Sequence, residues 1–457
     1  MSTVGLSFGS ATSGQGFDVT STVAQILASE QAIETPWKNQ LTALQSQDTV
    51  LSTLGSDLST LTTNLQSLTD FGGVLAQKQG SSSDNNVLTL RSAAATATAG
   101  SHTVEVNSLP QTSSDYSDAV ASGRDTLNGY ITIQLGSTGQ PKTINVDSGS
   151  NTLSSLAAAI NGAGVGVTAS VISDDSGSRL SLVSGTSGAA GQLTVTSNLS
   201  DATSGASLNF QTGQKGSDGS ITVDGISLAI SSNTVSTAIP GVTFQLLAAA
   251  PGTQVQVQIT NDNSAVATAL NSVVSSYNAV VTALKGQEGK DSSGNAEPLY
   301  GSPTVALIQE QLTQALLGGA ASGSISSVTQ LGLTFNQDGT LSLNQDQLNS
   351  VLNSDYSDVV GYLQNSGSFG QTLATALNNL GAQAPNGAIY LAQQQNSAQE
   401  AALNKSISEE DARIATDKTN LTTQLNEANQ ILQSIPSQLN EVNEIYSAVT
   451  GYNQGQH

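Results

Sequence analysis

The chain has no cysteine, two histidines, one methionine and one tryptophan in 457 residues. Without cysteine there can be no disulfide, no thiolate nucleophile and no cysteine-held metal. The histidines are His102 and the terminal His457, so imidazole catalysis or a histidine-ligated metal has almost nothing to draw on. Charge is scarce as well, at 10% of residues against about 25% in an ordinary domain. What charge exists leans one way: twelve Lys and Arg against thirty-four Asp and Glu, a formal net of −22. That balance argues against nucleic acid or an anionic membrane surface as a partner. No run approaches the roughly 18 apolar residues of a spanning helix, so no membrane insertion is expected. The opening stretch, MSTVGLSFGSATSGQGFDV, has neither a basic n-region nor an apolar h-region, so no Sec signal is expected. A cytoplasmic protein would fit, and so would one exported unfolded by a route that reads a disordered N-terminus.

Against these absences stands a comb of leucines: Leu51, Leu54, Leu58, Leu61, Leu65 and Leu68. The steps alternate three and four, the spacing of a heptad seam, with Leu41 and Leu44 as an out-of-phase lead-in. Between them lie Ser, Thr, Gln and Asn, so the apolar stripe is narrow. A helix over 41–71 would be about 45 Å long, and a single seam needs a partner. The sequence offers Leu421, Leu425, Ala428, Leu432, Ile435, Leu439, Val442, Tyr446 and Val449, again in steps of four and three. The expectation is that the two chain ends pair as a helical stalk.

Residues 1–16 are small and polar and are expected to be disordered alone. A helical pattern opens at Asp18 or Thr20, is interrupted or kinked at Pro36, and resumes as the comb, which stops at Gly72 and Gly73. From residue 85 the period changes to two, with strands predicted over 87–90, 103–106, 130–135, 165–172, 179–183, 192–196, 221–230, 242–247 and 254–260. One short helix, 152–160, stands among them. Helices return over 266–281, 304–317, 345–352 and 369–380, with a hairpin turning at Asp338-Gly339 between the second and third. The last helix runs from about 389 to 449, bent or divided at Pro436.

Convergent chemical groups are few. His102 lies in a strand-like stretch and reads as an ordinary sheet residue. Asp174-Asp175 falls in a turn, where Asp bonds its own backbone. Glu409, Glu410 and Asp411, with Arg413 and Lys418 nearby, read as a solvated helix face. Residues 334–339 resemble a calcium loop only weakly, since Thr334 and Gln345 stand where the first and last carboxylates belong. No glycine-rich phosphate loop, nucleophile elbow or zinc spacing is present. No catalysis, metal or cofactor is expected.

Four stretches together resemble the flagellar filament cap proteins, the hook-associated protein 2 family. Residues 16–27 (GFDVTSTVAQIL) with Glu30 are similar to the family's opening. Residues 151–162 (NTLSSLAAAING), followed by 165–172 and 178–182 (SRLSL), resemble the flagellin IN motif. Residues 221–226 (ITVDGI), Ser232-Asn233-Thr234, 239–243 (IPGVT) and Tyr277-Asn278 are similar to its C-terminal pattern, and 331–334 (LGLT) with 338–343 (DGTLSL) to its later hairpin. One departure is QSIPS at 433–437, which replaces an aromatic- and Met-containing sequence. The resemblance implies an α+β multidomain fold in four parts. A terminal coiled-coil stalk would comprise 1–40 and 405–457, and a helical leg 41–78 and 263–404. A β-rich head would comprise 79–115 and 213–262, with an outer head, 116–212, inserted in it. The resemblance also implies a ring-shaped homo-oligomer, usually pentameric, at the filament tip, where exported flagellin folds and is inserted. Implied partners are flagellin, the hook–filament junction proteins, and the flagellar type III export apparatus with its chaperone. Localisation would be extracellular, on the flagellum. Two alternatives remain open: a flagellin or junction protein, and a surface adhesin whose β head binds a host glycan or mucin.

Overall fold

The computed structural model describes residues 16–381 and 383–450. Apart from Gly16, the stretch expected to be disordered at the N-terminus lies outside the described residues, as does His457. In chain order the helices are α1 (Val19–Thr69), α2 (Leu153–Gly162), α3 (Asn263–Gly286), α4 (Pro303–Leu317), α5 (Gln345–Ser354), α6 (Tyr356–Gln364), α7 (Phe369–Leu380) and α8 (Ala388–Thr450). The chain divides into two compact units, one made of residues 1–69 with 269–457, the other of residues 70–268. The α+β multidomain reading holds.

In the first unit, α1 is one helix of 51 residues that passes through Pro36 without interruption. This excludes the interruption, one of the two outcomes expected there. Proline forfeits one backbone bond and crowds the preceding turn, but Pro36 faces solvent, and α8 packs along the helix. Serine and threonine, poor in helix interiors, are accommodated by back-bonding: Thr42, Thr49, Thr53 and Thr60 each donate to the carbonyl four residues earlier. Likewise α8 is continuous through Pro436 for 63 residues.

The comb is fully buried, every leucine from Leu51 to Leu68 being at most 2% exposed. Each such burial is worth about 1.5–3 kcal/mol. Its partner, however, is not the far end of α8. Leu61, Leu65 and Leu68 gather Leu270 and Val273 of α3, Leu316 of α4, Leu363 of α6, and Phe369 and Leu373 of α7. Tyr362 stacks on Phe369 at 5.3 Å between ring centroids, and burial pushes its phenol up to about 12. Register explains the correction. Asn396 donates to Asp48 (2.8 Å), and the Phe17 amide donates to Asn429 (2.9 Å). α8 thus runs antiparallel to α1 from its own first turns, and by residue 421 it has already reached the beginning of α1.

The expected Asp338-Gly339 hairpin forms, Leu333–Phe335 pairing antiparallel with Leu341–Leu343. Helix α6 was not visible in the sequence. It is short and contains Gly361, where a Cβ would lie 2.1 Å from the Ser322 hydroxyl.

The second unit holds two apolar cores. One lies within the five-stranded antiparallel sheet (order 78–82, 254–261, 100–108, 219–223, 226–230) and a three-stranded sheet (234–239, 242–246, 88–93). Val104, Val106, Phe244, Val255 and Val257 are inaccessible to solvent there. The other gathers Ile131, Leu156, Ile160, Leu180 and Leu182 around α2 and the strands between residues 112 and 214. A Thr152–Ser155 capping box opens α2. At its end Asn161 clamps Ala169 on the facing strand, donating to its carbonyl and accepting from its amide, both at 2.8 Å.

Candidate assembly surface

Of the residues singled out from the sequence, Leu51, Leu54, Leu58, Leu61, Leu65 and Leu68 belong to the closed core just described. Leu421 and Leu425 are half-buried against Val19, Val23, Leu27 and Ile414, where α8 meets the start of α1. Leu432 and Ile435 are also half-buried. Beyond them the stripe is open: Leu439 is 45% exposed, Val442 60%, Tyr446 52% and Val449 80%. So the two sets of seam residues are not brought together. Just before α1, the Phe17 amide donates to Asn429 of α8. From Leu439 onward, α8 carries an apolar face open to solvent among the described residues.

Sequence spacing alone missed Ile431 and Ile445, each 64% exposed. They lie next to the four-and-three stripe, not on it. With them the stripe is three positions wide in those turns, as for a helix that touches more than one neighbour. The signal was present as an isoleucine one place before Leu432 and again before Tyr446. Electrostatics along this end are quiet: from residue 419 to 450 the only charged side chains are Glu427, Glu441 and Glu444. Further back, Glu34 binds Lys38 at 2.6 Å, and this hydrogen bond raises the lysine's pKa. Arg413 binds Glu410, which raises the arginine's.

The chemical candidates sit elsewhere and apart. His102 Nδ1 lies 2.7 Å from Asp224, which also accepts from the Thr103 amide at 2.9 Å. Those bonds, the histidine's first, lower the Asp224 pKa. Asp224 occupies a left-handed turn position (φ 49°) ahead of Gly225, so the pair pins a hairpin to its neighbouring strand. Asp174 accepts from the Ser176 amide (2.7 Å) in its turn, and Asp338 accepts from Thr340. No group of three or more His, Asp or Glu suited to a metal occurs among the described residues.

A helical unit built from both chain ends, β-rich strands inserted between them and an open apolar stripe on the last helix define a structural assembly protein of helical-ended type. Family models fit that class. Residues 15–113 match the N-terminus of flagellar hook-associated protein 2, residues 216–437 match its C-terminus, and residues 131–186 match the flagellin hook IN motif. The chain belongs to the flagellar hook-associated protein 2 family, the flagellar cap proteins.

Among similar proteins is the B-type flagellar hook-associated protein 2 of Pseudomonas aeruginosa, 30% identical over 61% of this chain and 65% of the relative. Thus the chain spans just under two thirds of that relative's length. The flagellar hook-associated protein 2 of Escherichia coli is 28% identical over 76% of this chain and 78% of its own. The crystal structure of the D1-D2-D3 domains of the E. coli flagellar cap protein FliD superposes with a TM-score of 0.59 at 25% identity. It covers 76% of this chain and 99% of that one. The adhesin alternative finds no support in these matches.

Proposed function

We propose that this chain caps the distal tip of a bacterial flagellar filament, promoting the folding and insertion of exported flagellin. The observation that carries this is the uncovered stripe on α8 from Leu439 to Val449, in a chain of the cap family. Burying such a stripe against neighbouring helices is favourable by about 25 cal/mol per Å² of apolar surface, and helical filament ends offer such neighbours. In this reading the six residues Leu421, Leu425, Leu432, Ile435, Leu439 and Val442 are the working contact, and the comb anchors them to a rigid leg. The chain acts as a ring-shaped homo-oligomer, a pentamer by family resemblance, meeting flagellin and the junction proteins. It reaches the tip through the flagellar type III apparatus and its chaperone. It performs no catalysis. The four-part division into stalk, leg, head and inserted outer head serves this role, the leg carrying contact and the heads covering the growing end. Low charge and abundant Ser, Thr and Gln suit a surface past which unfolded flagellin slides without capture.

The test is deletion of the gene. Hooks should form, filaments should be absent or very short, and flagellin should accumulate in the medium as monomer. Filaments of normal length in the deletion strain would refute the cap reading.

A further inference from the structure

We propose that the pairing of α1 with α8 over residues 19–48 and 396–429 is a latch built to open, whereas the leucine stretch that follows on α1 stays closed. This inference rests on the cap reading for its purpose but not for its physics. Continuing the spacing of Val23 and Leu27 along α1 leads to Glu30, Glu34, Trp37, Leu41, Leu44 and Asp48. On α8 the inward positions after Asn396 include Glu400, Leu403, Ile407, Glu410, Ile414 and Asp417. Carboxylates therefore occupy positions where a stable seam has leucine or isoleucine.

Their burial is real. Glu34 is 3% exposed, and Glu30, Asp48, Glu400, Glu410 and Asp417 are half-buried. One oxygen on each of Glu30, Glu34 and Glu400 is closed off from solvent with no hydrogen-bond partner among the described residues. Cationic relief is partial: Lys38 reaches the other oxygen of Glu34, and Arg413 is held by Glu410. The register set by Asp48–Asn396 and Phe17–Asn429 places Glu34 opposite the Glu410–Asp411 turn, where Lys38 faces Asp411 and Arg413 faces Glu30, two cations among more numerous acids. A carboxylate oxygen without a donor loses its hydration and receives nothing for it. Opening the two helices restores water to all three oxygens, so separation here is far less unfavourable than in the comb, whose leucines are at most 2% exposed. Once apart, the Val19, Val23 and Leu27 face and the Ile414, Leu421 and Leu425 face are each free to take a neighbouring helix.

Hydrogen exchange on the purified full chain reads this directly. Amides of 19–48 and 396–429 should be protected at least tenfold less than those of 51–68. The E30L/E34L/E400L variant should raise protection in the first two segments at least tenfold and leave 51–68 unchanged. Equal protection in the two stretches of α1, or no gain in the variant, overturns the latch. A second variant removes dependence on that triple change. Because the chain has no cysteine, Phe17→Cys with Asn429→Cys, at the end of the pair farthest from the comb, can be joined by a short bis-maleimide. The bridged protein should fail to cap filament ends that the unbridged double variant caps. Equal capping by both overturns the latch. If neither caps while the exchange contrast persists, the latch stands and the cap reading falls.

Discussion

Asparagine does much of the joining in this chain. Asn278 of α3 spans the hairpin strand at Leu341, accepting from its amide (2.7 Å) and donating to its carbonyl (2.8 Å). The neighbouring Tyr277 hydroxyl reaches the Gly339 carbonyl at 3.3 Å. Asn161 does the same for Ala169, and Asn64 donates to Ser272 and Ser276 of α3. A neutral side chain with both a donor and an acceptor replaces one missing rung of a sheet, so few ion pairs are needed. Replacing Asn278 with alanine strands two half-buried backbone groups and should cost about 1–3 kcal/mol, measured by denaturant unfolding of the helical signal. The Tyr277-Asn278 and Ile160-Asn161 pairs were legible as family motifs. Their work was not, because an asparagine in a sequence does not say which backbone it will meet.

Asp115 is the opposite case. It is 5% exposed with one oxygen lacking a partner, and burial raises its pKa above the ordinary carboxylate value, opposed in part by a bond from Thr212. A carboxyl whose folded value is raised binds its proton more readily in the native state. The second unit is therefore destabilised as pH rises from 3.8 through the raised value. Asp115→Asn should unfold at a higher temperature at pH 8, with the advantage shrinking toward pH 4. An advantage of the same size at both pH values would show that the charge is not responsible.

Among the elements, long helices were the most legible and their partners the least. Four-and-three spacing states that a stripe will be buried, but not against what. The comb therefore matches the α8 stripe on spacing, and only the antiparallel register gives Leu61, Leu65 and Leu68 to α3, α4, α6 and α7 and sets Leu51 beside the first turns of α8. The strand Thr112–Ser117 (TSSDYS) was missed because its inward face is polar. Ser113 and Ser117 are inaccessible, accepting from the Leu193 amide (3.0 Å) and the Leu180 amide (2.9 Å). An alternation of apolar residues cannot reveal a strand whose buried side chains are serines. The C-terminal stripe itself was legible residue by residue, except for Ile431 and Ile445. A double change, Leu439→Asp with Val442→Asp, lies where both side chains are already open to water. It should leave the unfolding free energy within about 0.5 kcal/mol of the parent yet abolish capping. Normal capping by this variant would remove the stripe from the contact.

For the molecule as a whole, both ends build one unit and the middle builds the other, so each should tolerate surgery on its neighbour. Residues 112–214 contain all of the second apolar core of the β-rich unit, and the Gln111–Ser217 bridge lies just outside them. Excising 112–214 behind a short Gly/Ser linker should preserve the helical circular dichroism and the first β core. Loss of most helical signal would show that the inserted part is not autonomous. Composition settled the absence of disulfides. It was silent on the division into units, since a contact between distant stretches leaves no mark on either.

The uncharged flanks of α8 carry one more consequence. Residues beside its C-terminal stripe are Gln424, Asn429, Ile431, Gln438, Asn443 and Ile445, with no acid or base among them to fix alignment. In paired helices such flanking charges are what forbid sliding. A helix lying on this stripe could move by seven residues, about 10 Å along the axis, and meet nearly the same chemistry again. The spacing of the stripe alone therefore does not fix where along it a partner helix comes to rest.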